Sequence, residues 1–303
     1  MIAVASSAPL PSYLWQVVLH STIAGAILYA WTQRMGLPSG RAKRRLLGIL
    51  LVLPLLTAAV PGRTTADFRE RLAWLDSAPV LAIPLAGGYR GADLVALLGL
   101  AMVAVTLGQE LLPVVRRRNG DDIEAPAALV ALARELPGWE RCAVVVRPTP
   151  DILVATGGWP KQPRLIVSRG ALGRLAAEEL ALVLRHENAH WRGGRWLRTH
   201  ALFVVRLLQC FNPVALWSFR EYCLEVEIEC DAAAVAGRDP RPLTRTLLKL
   251  YETTAPRDVA RRSALRRRTA VLLGDSPLED DALPTATIVA VAVILLLTLP
   301  WLV

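Results

Sequence analysis

Two histidines and a glutamate in the segment His186-Glu187-Asn188-Ala189-His190 have the types and spacing of a metal-dependent hydrolase. Histidines at positions i and i+4 share one face of a helix, so both imidazoles can reach one metal ion. Glu187 is rotated by about 100° from His186, which lets its carboxylate accept a proton from a metal-activated water. The pattern predicts one Zn2+ ion per chain, with Glu187 as the general base.

A catalytic zinc ion needs a third protein ligand, and the acidic segment from Glu221 to Asp231 supplies candidates. Glu227 and Asp231 stand at i and i+4, so Glu227 can bind zinc while Asp231 orients a ligand histidine through its free ring N–H. The residue types alone leave Glu225 and Glu229 open as the third ligand. A helix face exposed to water would explain the same acidic run.

A small sheet followed by a helix is expected to position these residues. Turn-forming glycines and prolines separate runs of β-forming residues, which predicts strands at 142–147, 152–156 and 164–168. Helices are predicted at 127–136 and 172–191. Strand 152–156 is the candidate edge for an extended peptide substrate, with Leu153, Val154 and Ala155 as substrate-binding residues. An ordinary inner strand is the alternative.

The composition predicts a membrane protein. Hydrophobic residues make up 53% of the chain, and the mean hydropathy is +0.38. Apolar runs predict spans at 14–31, 46–60, 94–115 and 285–303. A basic cluster after the first run places the N-terminus outside the cell membrane, residues 119–283 in the cytoplasm and the C-terminus outside. The expected fold class is α+β: a multi-span α-helical membrane protein with a cytoplasmic zincin-like metallopeptidase domain.

Three regions follow from this topology: an N-terminal membrane region at 1–118, a metallopeptidase domain at 119–284 and a C-terminal transmembrane helix at 285–303. His190 and Glu227 must meet at one zinc ion, so the apolar segment near 200–219 is expected to be a membrane-associated helix that does not cross. A buried helix, a re-entrant hairpin and a piece lying in the membrane interface all satisfy this condition. The net charge of +9 is attributed to membrane orientation, and direct nucleic-acid binding is not expected because no such motif accompanies it. The arginines at 257–268 are interpreted as a positive flank of the last span, with docking to anionic lipid or an acidic partner as the alternative.

Several motifs together resemble the BlaR/MecR-type antirepressor metallopeptidases over roughly residues 120–275. They are the histidine motif at 186–190, the Phe-Asn-Pro triplet at 211–213, the Glu-x-x-Cys-Asp motif at 227–231 and the strand sequences before them. The resemblance implies a gluzincin in which His186, His190 and Glu227 bind zinc, Glu187 is the general base and Asp231 supports a ligand. It also implies proteolytic signalling at the cytoplasmic face, by cleavage of a protein substrate such as a transcriptional repressor or of the chain itself.

Two departures from that family limit what the resemblance implies. Members often carry an acidic residue near position 195, where this chain has Arg195, and the chain to Val303 contains no S-x-x-K serine motif, so antibiotic sensing is not expected. The alternatives are an HtpX-type membrane quality-control peptidase and a non-catalytic membrane scaffold that binds metal. The presence of Glu187 argues against the scaffold, because metal binding alone does not need that residue.

Overall fold

The computed structural model describes residues 9–34, 39–59, 122–159, 162–210, 212–254 and 259–275, with isolated positions between 84 and 108. These residues form an α+β structure. Its helices are α1 (Pro9–Arg34), α2 (Arg41–Ala59), α3 (Ala127–Arg134), α4 (Arg169–Arg174), α5 (Ala177–Trp191), α6 (Arg195–Leu208), α7 (Pro213–Ala234), α8 (Arg241–Thr254) and α9 (Val259–Leu272). Its strands are β1 (Ile123–Glu124), β2 (Ala143–Arg147), β3 (Val154–Trp159) and β4 (Gln162–Ser168).

The four strands form one sheet in the order β1-β2-β4-β3. The central pair β2 and β4 is parallel, while β1 pairs with β2 and β3 pairs with β4 in antiparallel fashion. Gly158 allows the β3–β4 hairpin to form, because its φ is +98° and a Cβ atom there would lie 2.3 Å from the Gln162 carbonyl oxygen. Because β3 is last in the strand order, it is an edge strand among the described residues, and it lies next to the helix α5.

Two hydrophobic clusters hold α5 between the sheet and the helices. Trp139, Leu165 and Leu184 are completely buried in the cluster that joins the sheet to α5. On the other side, Leu182 of α5 packs with Leu243 of α8. Burial of these side chains removes apolar surface from water, which fixes the rotation of α5 about its axis.

The long helix expected at 172–191 is two helices, with a break at 175–176 between α4 and α5.

A third hydrophobic cluster packs α1 and α2 against α7. It contains Leu28 of α1, Leu47 of α2, and Tyr222 and Val226 of α7. The apolar residues of the first two helices are thus partly explained by packing against the helix that carries the acidic segment.

The prediction of a multi-span membrane protein is wrong for the part of the chain that the structure describes. No helix there is both long enough and apolar enough to cross a membrane. The apolar part of α2 after its basic first turn contains Pro54 and covers about 21 Å at 1.5 Å per residue, short of the roughly 30 Å hydrocarbon core. In α1, the polar residues His20, Ser21 and Thr22 interrupt the apolar run.

The remaining membrane predictions fall outside the described residues. This holds for the span expected at 285–303 and, apart from isolated positions, for the span at 94–115. The proposed domain boundaries at 118/119 and 284/285 also lie there and stay predictions.

The membrane-associated helix expected near 200–219 is not a single element. Helix α6 ends at Leu208, and α7 begins at Pro213. Asn212 separates them as the N-cap of α7, where its side-chain oxygen accepts the backbone N–H of Val214 at 3.0 Å. The buried Asn212 also donates to the Ser21 hydroxyl at 2.7 Å, which joins α7 to α1. The Asn-Pro pair therefore sets the start of the helix that carries Glu227.

Candidate metal centre

His186 and His190 lie one turn apart on the face of α5 that packs against α7. Their Nε2 atoms are 3.1 Å apart, and their rings meet edge to face with centroids separated by 4.8 Å. His186 is buried and His190 is partly exposed. Both reactive nitrogens therefore converge on one point rather than binding separate partners.

Glu227 of α7 brings its carboxylate to the same point. Its Oε2 atom lies 3.4 Å from His186 Nε2, and its Oε1 atom lies 3.2 Å from His190 Nε2. Ligand atoms of the three residues lie within 4.8 Å of one another. Two imidazoles and one carboxylate, with room for water at a fourth position, are a donor set of catalytic zinc sites. The residues present therefore fit a zinc ion.

Asp231 contacts His186 on the other side of the imidazole ring. Its Oδ1 atom lies 2.8 Å from His186 Nδ1, and its carboxylate is almost completely buried. A carboxylate at this nitrogen places the ring proton on Nδ1 and leaves Nε2 free to bind a metal ion. The structure thus places Asp231 where the i, i+4 spacing from Glu227 predicted a supporting residue.

The charges around the histidines favour a cation at this point. Burial opposes protonation of His186, but the neighbouring carboxylates of Asp231 and Glu227 outweigh it and raise the pKa of His186 to about 10. Burial also opposes ionisation of Glu227, yet Arg268 and the two histidines lower the pKa of its carboxyl well below the usual value. A site that retains a proton in this way is electrostatically suited to exchange it for a metal cation.

Glu187 faces a cleft of about 200 Å³ beside the two histidines. Its Oε2 atom accepts hydrogen bonds from the backbone N–H and the hydroxyl of Thr156 on β3, at 3.1 and 3.0 Å. His190 and Glu227 line the same cleft. The cleft is lined by Thr156, Glu187, His190, Trp191, Thr199, His200, Cys223, Val226 and Glu227. A carboxylate held in place beside three converging metal-binding side chains can serve as a general base for hydrolysis.

The family model for BlaR1 peptidase M56 matches residues 94–271, which is more than half of the chain. The chain belongs to the BlaR1 peptidase M56 family. The family resemblance expected from the motifs is thereby confirmed. A comparison with curated proteins finds no match to the chain. The family consists of metallopeptidases. Membership therefore implies that the chain is a protease, and it suggests a metal ion as the cofactor.

In this M56 peptidase, Glu225 and Glu229, the other two candidates for the third ligand, contact residues outside the metal centre. Glu225 is completely buried and binds Lys43 of α2 at 3.0 Å. Glu229 binds Arg44 of α2 at 2.6 Å. Both carboxylates therefore neutralise buried cations and point away from the histidines, so Glu227 is the glutamate that the structure brings to them. The acidic run is therefore not a water-exposed face. Lys43 and Arg44, which belong to the basic cluster after the first apolar run, are counterions of Glu225 and Glu229.

The predicted substrate strand lies at the sheet edge in this M56 peptidase. The Ser168 N–H donates to the Leu153 carbonyl, and Ala155 lies opposite Ile166 in the same antiparallel register. Because backbone groups of a strand alternate in direction, those of Val154 and Thr156 point to the open edge. The Thr156 N–H faces Glu187 accordingly. Of the three residues predicted to bind substrate, Val154 is the one whose backbone is directed outward, and substrate binding there stays a prediction.

Sequence reasoning did not identify Thr156 or Arg268 as parts of the site. Thr156 is the last residue of the predicted strand 152–156, but nothing in the local pattern indicates a contact with Glu187. The sequence indicates a positive flank around Arg268, whereas the structure shows that Arg268 contacts Asp231 and Glu227. The signal that could have revealed it is the need of two clustered carboxylates for a counterion.

Arg195, the departure from the family pattern, closes the end of the histidine helix. Its guanidinium Nη1 donates to the Ala189 carbonyl at 2.8 Å, and its Nε lies 3.5 Å from Glu229. A cation at a helix C-terminus stabilises the last carbonyl groups and the helix dipole. Arg195 therefore supports α5 without contacting the residues that converge at the metal centre.

Proposed function

We propose that this M56 peptidase is a zinc-dependent endopeptidase, with His186, His190 and Glu227 as zinc ligands and Glu187 as general base. The observation that carries the proposal is the convergence of the three ligand side chains within 4.8 Å, beside the carboxylate of Glu187. The histidine motif alone indicates a metal site. Glu227, which belongs to the different helix α7, completes a set of two histidines and one carboxylate. This donor set is typical of catalytic zinc sites and supports the assignment of a catalytic site.

Zinc bound by these three residues would polarise the scissile carbonyl and lower the pKa of a water molecule. Glu187 accepts a proton from the attacking water and delivers it to the amine that leaves. Thr156 holds one oxygen of Glu187, so the other oxygen is the proton acceptor. Asp231 keeps the Nε2 atom of His186 directed at the ligand site.

The substrate is proposed to be a protein cut in a regulatory pathway, such as a transcriptional repressor or the chain itself. The BlaR1-type family supports this choice. A cleft of about 200 Å³ beside an open strand edge supports an extended peptide as the bound form.

The test compares the wild type with Glu187→Gln in cells and as purified protein. Glutamine keeps the size of the side chain and its hydrogen bond from Thr156 but removes the proton acceptor. We expect the variant to fold, to bind zinc at the wild-type level and to lose a cleavage product that mass spectrometry finds with the wild type. Equal product formation by the two proteins would refute the assigned mechanism.

A further inference from the structure

Arg268 of α9 contacts two carboxylates of the metal centre at the same time. Its Nε and Nη2 atoms donate to the two oxygens of Asp231 at 2.6 and 2.8 Å. Its Nη1 atom lies 3.1 Å from Glu227 Oε2. Each nitrogen of the guanidinium therefore has its own carboxylate oxygen, an arrangement that the planar fork of arginine allows and the ammonium of lysine does not.

Both contacts lead directly to the proposed zinc ligands. Glu227 is itself one of them, and Asp231 contacts a second, His186, at 2.8 Å. Asp231 is almost completely buried, so its negative charge needs a fixed counterion. Arg268 supplies that counterion and, through two hydrogen bonds, holds the carboxylate in one orientation.

We propose that Arg268 is a positioning residue of the metal centre, which fixes Glu227 and Asp231 so that the zinc ligands are assembled only when α9 is in place. The inference rests on the proposed zinc site and deepens it by adding a residue from a separate helix. Arg268 does not touch the substrate or the metal ion in this proposal. It acts through the two carboxylates.

The neighbouring Arg267 provides a matched comparison. It lies on the same helix and also binds α7, through Glu221 at 2.8 Å and through Glu225. Neither of these glutamates contacts a ligand histidine among the described ion pairs. Arg267 therefore attaches α9 to α7 without reaching the metal centre, while Arg268 does both.

Zinc affinity of the purified full chain, measured by competition with a chromophoric chelator, separates these two roles. Because loss of the residues that orient metal ligands costs about 10- to 100-fold in affinity, Arg268→Gln should bind zinc that much more weakly than the wild type. Arg267→Gln should keep the wild-type affinity, even where it lowers the unfolding temperature. Arg268→Lys, which keeps the charge but loses the fork, should fall between the wild type and Arg268→Gln.

A double-mutant cycle with Asp231→Asn tests whether Arg268 acts through its partner. The loss of zinc affinity in the double variant should be smaller than the sum of the two single losses, because both remove the same contact. Wild-type affinity in Arg268→Gln, or an equal loss in Arg267→Gln, would overturn the inference. If Arg268→Gln does not fold, the affinity of Arg268→Lys decides. A wild-type chain without zinc affinity would refute the proposed function and this inference together, which distinguishes that failure from the others.

Discussion

Thr156 donates both its backbone N–H and its hydroxyl to the same oxygen of Glu187, at 3.1 and 3.0 Å. The two residues belong to the edge strand β3 and the histidine helix α5. A peptide that pairs with the open edge of β3 would therefore lie against the strand that also holds the general base. In the proposed mechanism, Thr156 would therefore couple substrate alignment to the orientation of the general base.

Thr156→Val should reduce kcat while leaving zinc content unchanged. The substitution removes the hydroxyl but keeps the backbone N–H and the side-chain shape. A hydrogen bond to a charged group contributes about 1.5–3 kcal/mol, which predicts a loss of roughly 10- to 100-fold. Thr156→Ser keeps the hydroxyl and should retain most of the wild-type rate. Steady-state kinetics with zinc analysis of all three proteins measure this, and equal rates for Val and Ser would show that the hydroxyl is irrelevant.

The acidic residues of α7 should separate into a zinc ligand and structural anchors. Glu227→Gln removes a proposed ligand charge and should abolish stoichiometric zinc binding. Glu221, which is partly exposed and pairs with Arg267 at 2.8 Å, is the matched control on the same helix. Glu221→Gln should keep full zinc content. Elemental analysis of the purified proteins decides, and full zinc in Glu227→Gln would show that another residue is the third ligand.

Glu225→Gln should destabilise the protein without altering the zinc site directly. The carboxylate is completely buried between Lys43 and Arg267, so its loss removes the nearest carboxylate of Lys43 and one of the two carboxylates that Arg267 contacts. Breaking a buried ion pair by removing one partner costs about 3–5 kcal/mol. Denaturant unfolding should show a decrease of that order. A change below about 1 kcal/mol, the range of exposed pairs, would mean that water reaches this site.

Zinc binding should displace a proton from His186. The raised pKa of about 10 means that this imidazole is protonated at neutral pH without a metal ion. A proton must leave before Nε2 binds zinc. At pH values below that pKa, the apparent zinc affinity should therefore increase by about tenfold for each unit by which the pH is raised. Isothermal titration calorimetry in buffers of different ionisation enthalpy counts the released protons. Zinc binding at pH 7 without proton release would contradict the charge state assigned to His186.

Proline substitutions at neighbouring positions of β3 should distinguish substrate binding from sheet formation. The Val154 N–H points to the open edge, whereas the Ala155 N–H points to β4. Val154→Pro should leave the fold and zinc content intact but decrease peptide cleavage, because it removes a donor to the substrate. Ala155→Pro should destabilise the sheet. If Val154→Pro cleaves at the wild-type rate, the substrate lies elsewhere.

The two histidines of the proposed metal site and the candidates for the third ligand could be identified from the sequence because the spacing that marks them is local. The spacing of His186 and His190 specifies one helix face whatever surrounds it. The spacing of Glu227 and Asp231 does the same on a second helix, and the hairpin at 154–168 follows from turn residues and β-forming runs. These patterns depend on backbone geometry over a few residues, so they can be recognised in the sequence without knowledge of the tertiary structure.

Only the tertiary structure decided which partner each charged or apolar residue meets. Glu225, Glu227 and Glu229 have the same chemistry and neighbouring positions, yet two of them bind cations of α2 and one meets the histidines. The apolar residues of α1 and α2 suggested membrane spans, but hydropathy does not reveal that they pack against α7. Arg268 lies 37 residues from its partner Asp231. Contacts of this kind depend on how helices that are distant in sequence pack against one another. The local spacing of residues does not predict that packing.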